Sequence, residues 1–349
     1  MKLLGGLAPR TFLRRHWQKR PLLVRDALVG FNGMAGPMRD ARTLAALATR
    51  DDVESRIVKR RGARWETAHG PFGEEITLRK NSTLLVSGVN LHLSAADALL
   101  RRFGFVPQAR LDDLMVSYAT TGGGVGPHID SYDVFLLQGP GRRRWRIWLT
   151  DKKIKECVLG PGDLLYLPPG LKHDGVALEP CFTYSIGFRT PRGTELAAAF
   201  LDWLHEHGLP DARYADPDLS PTRRPARIPA GMNLFARKFL RKIRWSANDT
   251  AVFLGEYLST PKPHVVFRPD KAGRTLARSH VVLDPKTQLL YSGNRFFMNG
   301  ESISLKGLQA KELKALADKR SGPGAALRTL AALIAQWHRA GYLHFEKAK

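Results

Sequence analysis

Apolar and polar residues follow different rhythms in successive parts of the chain. From Leu114 to Phe188, short apolar runs alternate with glycine- and proline-rich turns, a pattern typical of a small antiparallel barrel. Ahead of this region, Leu93 to Phe103 has the 3.6-residue periodicity of an amphipathic helix, and Glu195 to His207 repeats it further on. The pattern therefore predicts a β barrel that ends near Arg189 and is followed by helices.

The segments on either side of the barrel predict further elements. The N-terminal ones are helices at Thr11–Arg20 and Thr43–Thr49 and strands at Leu22–Arg25, Val53–Lys59, Ile76–Arg79 and Leu84–Asn90. The C-terminal ones are strands at Ser279–Leu283, Gln288–Tyr291, Arg295–Asn299 and Tyr342–Phe345 and helices at Leu308–Lys319 and Gly324–Ala340. This mixture fits a winged-helix-like module. We predict a barrel domain at 1–190, a helical segment at 191–258 and the winged-helix-like domain at 259–349.

Three residues of the barrel region have the chemistry of a metal site. His128 and Asp130 follow a glycine-rich turn, and residues two apart on an extended chain point the same way. His173 lies at the end of a later turn–strand–turn pattern. Two histidines and one carboxylate suit ferrous iron in oxygenases, because positions stay open for a co-substrate and dioxygen. An isolated His-x-Asp is more often a surface loop or a pair of satisfied polar groups, but the flanking turns and strands favour the iron site.

The basic run that begins at Arg142 points to the co-substrate. Strand alternation places Arg143 on the same face as Trp145 and Ile147. An arginine that points into an apolar barrel needs an anionic partner, and its guanidinium fits a carboxylate with two hydrogen bonds. Arg143 is therefore the candidate for binding the distal carboxylate of 2-oxoglutarate. The alternative is that the whole run faces solvent or RNA.

Three long motifs carry a resemblance to a known family. They are HWQKRPLLVRDAL at 16–28, DDLMVSYATTGGGVGPHIDSYDVFLLQGPGRRRWR at 112–146 and PGDLLYLPPGLKHDGVALEPCFTYSIGFR at 161–189. Together they resemble the bacterial ribosomal oxygenases, which are JmjC-type cupin enzymes that hydroxylate an arginine of a large-subunit ribosomal protein. The resemblance is densest from Thr11 to Arg189. It implies a fold of mainly β with α character, in which a double-stranded β-helix (cupin/JmjC) barrel precedes the helical and winged-helix-like parts.

The resemblance also implies roles for individual residues. Fe(II) would be bound by His128, Asp130 and His173, and 2-oxoglutarate by Arg143 and Ser117, with O2 as the other co-substrate. Asp113, Tyr132 and Ser185 match positions that contact the substrate arginine. A carboxylate, an aromatic face and a hydroxyl do suit a guanidinium. Each of these three also has an ordinary structural explanation, in which Asp113 caps a turn, Tyr132 packs its ring and Ser185 is a strand residue without a functional role.

Charge and composition add to this picture. The chain has 55 Lys and Arg residues against 32 Asp and Glu, a formal net charge of +23, so it attracts polyanions such as ribosomal RNA over long distances. This charge is higher than the resemblance leads us to expect. The segment Thr150 to Gly160 is also shorter than the resemblance implies, so the loop contacts to the substrate are expected to differ. No apolar tract spans a bilayer and no signal-peptide core is present, so we expect a cytoplasmic protein without a membrane partner.

The sequence therefore predicts an Fe(II)- and 2-oxoglutarate-dependent oxygenase acting on an arginine of a large-subunit ribosomal protein. By the resemblance, the helical segment would join two copies into a homodimer; a helical cap on its own barrel is the alternative. Two other functions stay open. One is an oxygenase of the same fold acting on a ribosomal histidine or another protein residue. The other is a non-catalytic cupin that binds ribosome or RNA through its basic surface.

Overall fold

A computed structural model of the chain describes residues 2–28, 31, 38, 40–73, 76–269 and 275–347. The chain divides into two units. The larger unit contains Met1–Thr190, Pro261–Thr287 and Gly307–Lys349, and the smaller unit contains Pro191–Thr260 and Gln288–Lys306. Within the described residues, no helix combines the length and the apolar character needed to cross a lipid bilayer.

The barrel of the larger unit consists of two antiparallel sheets. Its strands are β1 (Leu22–Val24), β2 (Ser55–Arg61), β3 (Arg64–His69), β4 (Ser82–Val86), β5 (Leu111–Ala119), β6 (Val134–Gln138), β7 (Arg143–Thr150), β8 (Lys153–Leu159), β9 (Leu164–Leu167), β10 (His173–Ala177) and β11 (Cys181–Phe188). An eight-stranded sheet has the order β1-β9-β6-β11-β5-β4-β2-β3, and a three-stranded sheet has the order β10-β7-β8. This arrangement confirms the predicted double-stranded barrel.

The two faces of the eight-stranded sheet have different surroundings. One face forms the main core with the N-terminal helices, and contributes Leu114, Val116, Phe135, Leu137, Tyr184 and Ile186. On the opposite face, Val134 and Leu136 pack against Trp145 and Ile147 of the three-stranded sheet. Side chains alternate between the faces of a strand. The polar residues of β5 and β11 that alternate with core residues therefore face the space between the two sheets.

Helices and short strands complete the two units. The larger unit has helices α1 (Pro9–Arg15), α2 (Ala41–Ala48), α3 (Ser94–Arg101), α7 (Gly307–Lys319) and α8 (Ala331–Arg339), and the sheet β16-β12-β17 formed by β12 (Ser279–Leu283), β16 (Ser321–Pro323) and β17 (Leu343–Lys347). The smaller unit has helices α4 (Gly193–Gly208), α5 (Ala230–Leu240) and α6 (Ala247–Ser259), and the sheet β13 (Leu289–Ser292), β14 (Arg295–Met298) and β15 (Glu301–Ser304).

Several predicted elements differ from the observed ones. Residues 76–79 are not a strand, and β3, which pairs with β2, was not predicted because its residues are mostly polar and exposed. The helix predicted from Gly324 to Ala340 is divided, since a 3-10 helix ends at Leu330 and α8 follows it. The backbone of Leu330 (φ −105°, ψ 10°) leaves the helical range at this boundary, and Leu327 (φ −117°, ψ 21°) is a second non-helical point within the 3-10 segment. Side-chain periodicity alone does not report such a change of backbone direction.

Candidate active site

His128 and Asp130 lie in the loop between β5 and β6, so neither is on a regular strand. Two backbone hydrogen bonds hold this loop against β10: the amide of His128 donates to the carbonyl of His173 at 3.0 Å, and the amide of His173 donates back at 2.9 Å. The amide of Gly170 donates to the carbonyl of Asp130 at 2.8 Å. The loop is thereby kept extended beside the strand that carries the second histidine.

The structure brings His128, Asp130 and His173 together. The Nε2 atom of His128 lies 3.8 Å from Oδ1 of Asp130, and the Nε2 atom of His173 lies 3.6 Å from Oδ2 of the same carboxylate. The two imidazole rings are 4.3 Å apart between centroids. Donor atoms of all three residues lie within 4.8 Å of one another, close enough to hold one metal ion.

Hydrogen bonds fix which imidazole nitrogen faces this point. Nδ1 of His128 lies 2.9 Å from the carbonyl of Gly126, and Nδ1 of His173 lies 2.9 Å from the carbonyl of Leu171. A carbonyl only accepts, so each Nδ1 carries a hydrogen, and in the neutral ring the lone pair is then on Nε2. Burial lowers the pKa of His173, which also favours the neutral ring. Two neutral imidazoles and a carboxylate form the donor set of a mononuclear non-haem iron site.

Close packing explains the glycines before His128. A Cβ on Gly124 would lie 2.5 Å from the carbonyl oxygen of Gly175, and Gly126 has φ +83°. A Cβ on Gly126 would also lie 2.7 Å from Nε1 of Trp65, which reaches the turn from β3. The sequence analysis missed Trp65; its only signal was one large aromatic residue in a polar stretch. At this turn, the space between β3 and β10 therefore has room for backbone atoms but not for side chains.

We expect Gly124→Ala to lower the free energy of unfolding by about 2 kcal/mol, because the added methyl group must displace backbone of β10. Urea unfolding of the metal-free protein measures this. Gly193→Ala is the matched control, since nothing lies within 4 Å of a Cβ at Gly193. Equal stability of the two variants would contradict the packing described for the turn.

Arg143 points into the space between the sheets, as the alternation predicted. It is 5% exposed, and Trp145 and Ile147 are buried on the same face of β7. Its Nε and Nη2 atoms have no hydrogen-bond partner among the described residues. The Cζ atom lies 5.8 Å from the centroid of the Trp145 ring. A buried guanidinium without an anion is costly, so this position is suited to a carboxylate ligand.

The other arginines of this run face outward and have protein partners. Arg142 lies 3.1 Å from Glu179, Arg144 lies 3.8 Å from Glu156 and Arg146 lies 2.6 Å from Asp174. These ion pairs compensate the charges of the three arginines, so none of the three needs a ligand as a counter-ion. The contrast with Arg143 argues against the interpretation in which the whole run faces solvent or RNA.

Comparisons with known proteins agree with this geometry. The family model described as a JmjC domain matches residues 98–196, and the one described as a ROXA-like winged helix matches residues 242–344. The ribosomal protein uL16 3-hydroxylase of Escherichia coli is 34% identical, with 96% of this chain and 97% of the relative covered. The chain belongs to the JmjC-domain ribosomal oxygenases.

Other members of the family show the same likeness. A probable ribosomal oxygenase of Haemophilus influenzae is 31% identical, over 93% of this chain and 89% of that protein. The solved structure of the E. coli ribosomal oxygenase YcfD in complex with cobalt and 2-oxoglutarate matches with a TM-score of 0.81 and 34% identity, covering 98% of this chain and 99% of that one. The winged-helix prediction for the C-terminal part is thereby confirmed.

In this ribosomal oxygenase, Ser117 lies toward the same end of the barrel interior as Arg143. Ala119, two residues further along β5, packs with Ala177. Ala177 is the residue of β10 that pairs with Arg143 of β7. Asp113 lies four residues back along β5, about 13 Å away along the strand. Ser117 and Asp113 are therefore at separate ends of one face.

Ser185 and Tyr132 are the other residues predicted to contact the substrate. Ser185 is buried on β11 opposite Met115. Tyr132 is 39% exposed. Burial raises the pKa of its phenol, and the charges of Asp130 and then Asp113 raise it further. The structure thus groups the three donor residues and buries four of the other predicted site residues, Arg143, Ser117, Asp113 and Ser185.

Proposed function

We propose that this chain is an Fe(II)- and 2-oxoglutarate-dependent oxygenase that hydroxylates an arginine side chain of a large-subunit ribosomal protein. The observation that carries the proposal is the buried guanidinium of Arg143, whose Nε and Nη2 atoms have no partner among the described residues, in the barrel that also holds the three donor residues. The E. coli relative supports it, since its name is uL16 3-hydroxylase and its structure, under the name YcfD, was solved with cobalt and 2-oxoglutarate. A cupin that only binds RNA would have no use for an inward guanidinium without a partner.

Each residue of the site has a separate task in this proposal. His128, Asp130 and His173 would hold the iron, which together with 2-oxoglutarate and O2 supplies oxidising chemistry that side chains lack. Arg143 binds the distal carboxylate of 2-oxoglutarate, and the Ser117 hydroxyl lies toward the same end. The apolar residues between the sheets exclude water from the co-substrate. The chain thus binds and orients the metal and the co-substrate and excludes water from them.

Arginine is the preferred target because of the residues at the other end of the site. Asp113 offers a buried carboxylate, which a guanidinium satisfies with two charge-assisted hydrogen bonds. The ring of Tyr132 is exposed enough to stack on a planar cation, and Ser185 adds a hydroxyl. A neutral imidazole has less need of a carboxylate than a guanidinium has, so Asp113 favours arginine over histidine.

We also propose separate tasks for the three parts of the chain. Residues 1–190 would perform catalysis, 191–258 would join two copies into a homodimer, and 259–349 would form the winged-helix-like domain. In support of the dimer, α5 buries none of its residues, and Met232, Leu234 and Leu240 are exposed. The net charge of +23 favours work close to ribosomal RNA in the cytoplasm, where ribosomes are assembled.

Mass spectrometry of large-subunit ribosomal proteins tests the proposal. We expect the mass of one oxygen atom on one arginine in cells with this gene, and its loss in cells without it. Complementation with the unmodified gene should restore the modification, and complementation with His128→Ala should not, because one of the three donors is missing. A ribosomal protein set that is identical in all four strains would overturn the substrate assignment.

A further inference from the structure

A lysine of the chain itself lies on the carboxylate that we assign to the substrate. Nζ of Lys262 is 3.3 Å from Oδ2 of Asp113 and 3.4 Å from Oδ1 of Asp112. Both acids belong to β5, where the register against β11 shifts between the pairs Ile186–Leu114 and Phe188–Leu111. Such a bulge inserts an extra residue and redirects side chains, so two adjacent acids reach one cation.

The surroundings show that the ion pair between Lys262 and Asp113 is mostly buried. Asp113 is buried, and its Oδ2 atom also accepts a hydrogen bond from the amide of Gly88 at 2.8 Å. The side chain of Lys262 is 27% exposed. Burial lowers the pKa of Lys262, but the charges of Asp113 and Asp112 outweigh it, so the pKa is raised and the amine stays charged. Burial raises the pKa of Asp113, and Lys262 acts against that rise.

We propose that Lys262 competes with the substrate: its ammonium occupies the Asp113 carboxylate until the substrate guanidinium displaces it. The inference rests on the proposed function, which assigns Asp113 to the substrate arginine. Lys262 lies in the irregular segment after α6, so its side chain can withdraw without unpairing a strand. Asp112 stays within reach of the displaced ammonium and keeps it partly compensated.

The exchange makes Lys262 a specificity-determining residue. A cationic side chain that enters the site replaces one positive charge by another, and Asp113 remains paired. A neutral side chain of similar shape would have to leave Lys262 in place, or leave a buried carboxylate without a partner, which is strongly unfavourable. Lys262 thus weakens the binding of every substrate, and it weakens the binding of neutral ones far more.

Steady-state kinetics of Lys262→Met with an arginine-containing substrate peptide test the proposal. We expect KM for the peptide to fall about tenfold, because the competitor is gone, while kcat and KM for 2-oxoglutarate stay unchanged. Lys311→Met is the matched control, since it removes the same charge from an exposed position of α7. Lys262→Gln serves as a second variant if the methionine variant does not fold.

A double-mutant cycle separates competition from general support of the fold. In the background of Asp113→Asn, KM for the peptide should rise, and adding Lys262→Met should then leave KM unchanged, because the one carboxylate for which the ammonium and the guanidinium compete is gone. A KM that stays the same or rises in Lys262→Met with native Asp113 overturns the proposal and makes Lys262 a structural counter-ion.

Displacement can also be observed without turnover. In the metal-free protein with carbon-13-labelled lysine, the ε-methylene signal of Lys262 should shift when arginine amide is added and stay in place with citrulline amide, which is neutral. The Lys262→Met variant assigns the signal. Absence of hydroxylation together with this shift would overturn the proposed function alone. Hydroxylation without the shift would overturn the competition alone.

Discussion

Replacement of His173 by alanine is expected to abolish hydroxylation and to weaken metal binding by more than about 100-fold. The substitution removes one of the three donors, and the remaining two leave a weak, open site. The fold should survive, because the hydrogen bonds that join His128 to position 173 are made by backbone atoms. Titration with Co²⁺, followed by its visible absorption, measures the affinity without any turnover.

His205→Ala is the matched control for this experiment, since His205 is an exposed histidine of α4. It should bind Co²⁺ as the unmodified protein does. Circular dichroism of both variants verifies that the barrel is intact. A His173→Ala protein that binds Co²⁺ with native affinity would show that the metal uses other ligands.

Arg143→Met is expected to raise KM for 2-oxoglutarate by about 100-fold while Co²⁺ binding is retained. The guanidinium supplies the charge and the hydrogen bonds for the distal carboxylate, and methionine keeps only the apolar stem. The same substitution should make the ligand-free protein more stable, because it removes a buried cation whose Nε and Nη2 atoms have no partner in the described part of the chain. Thermal unfolding without 2-oxoglutarate measures the gain, and kinetics measure the loss.

The opposite signs of these two effects distinguish a ligand-binding arginine from a structural one. Arg144→Met removes the neighbouring charge on the outward face of β7, where Glu156 lies at 3.8 Å, and should alter neither quantity appreciably. If Arg143→Met unfolds at lower temperature than the unmodified protein and keeps its KM for 2-oxoglutarate, Arg143 supports the barrel and binds no co-substrate.

Local sequence patterns were sufficient to predict features that depend only on residues close together in the chain. The inward direction of Arg143 follows from the two-residue period of β7, because neighbouring positions on a strand face opposite sides. Breaks in the pattern were harder to predict. Residues 76–79 alternate like a strand but form none, whereas the polar residues of β3 do form one, since pairing with β2 stabilises backbone that their side chains do not favour.

The sequence by itself determined the barrel, the donor set of His128, Asp130 and His173, and the inward direction of the Arg143 guanidinium. A short motif or a period-two pattern indicates each of these features. Only the tertiary structure decided that Trp65 closes over the glycine turn and that Lys262 reaches Asp113, a pair 149 positions apart in the chain. The physical reason is that an ion pair between distant residues depends on how strands and loops are brought together, and no local pattern records that arrangement.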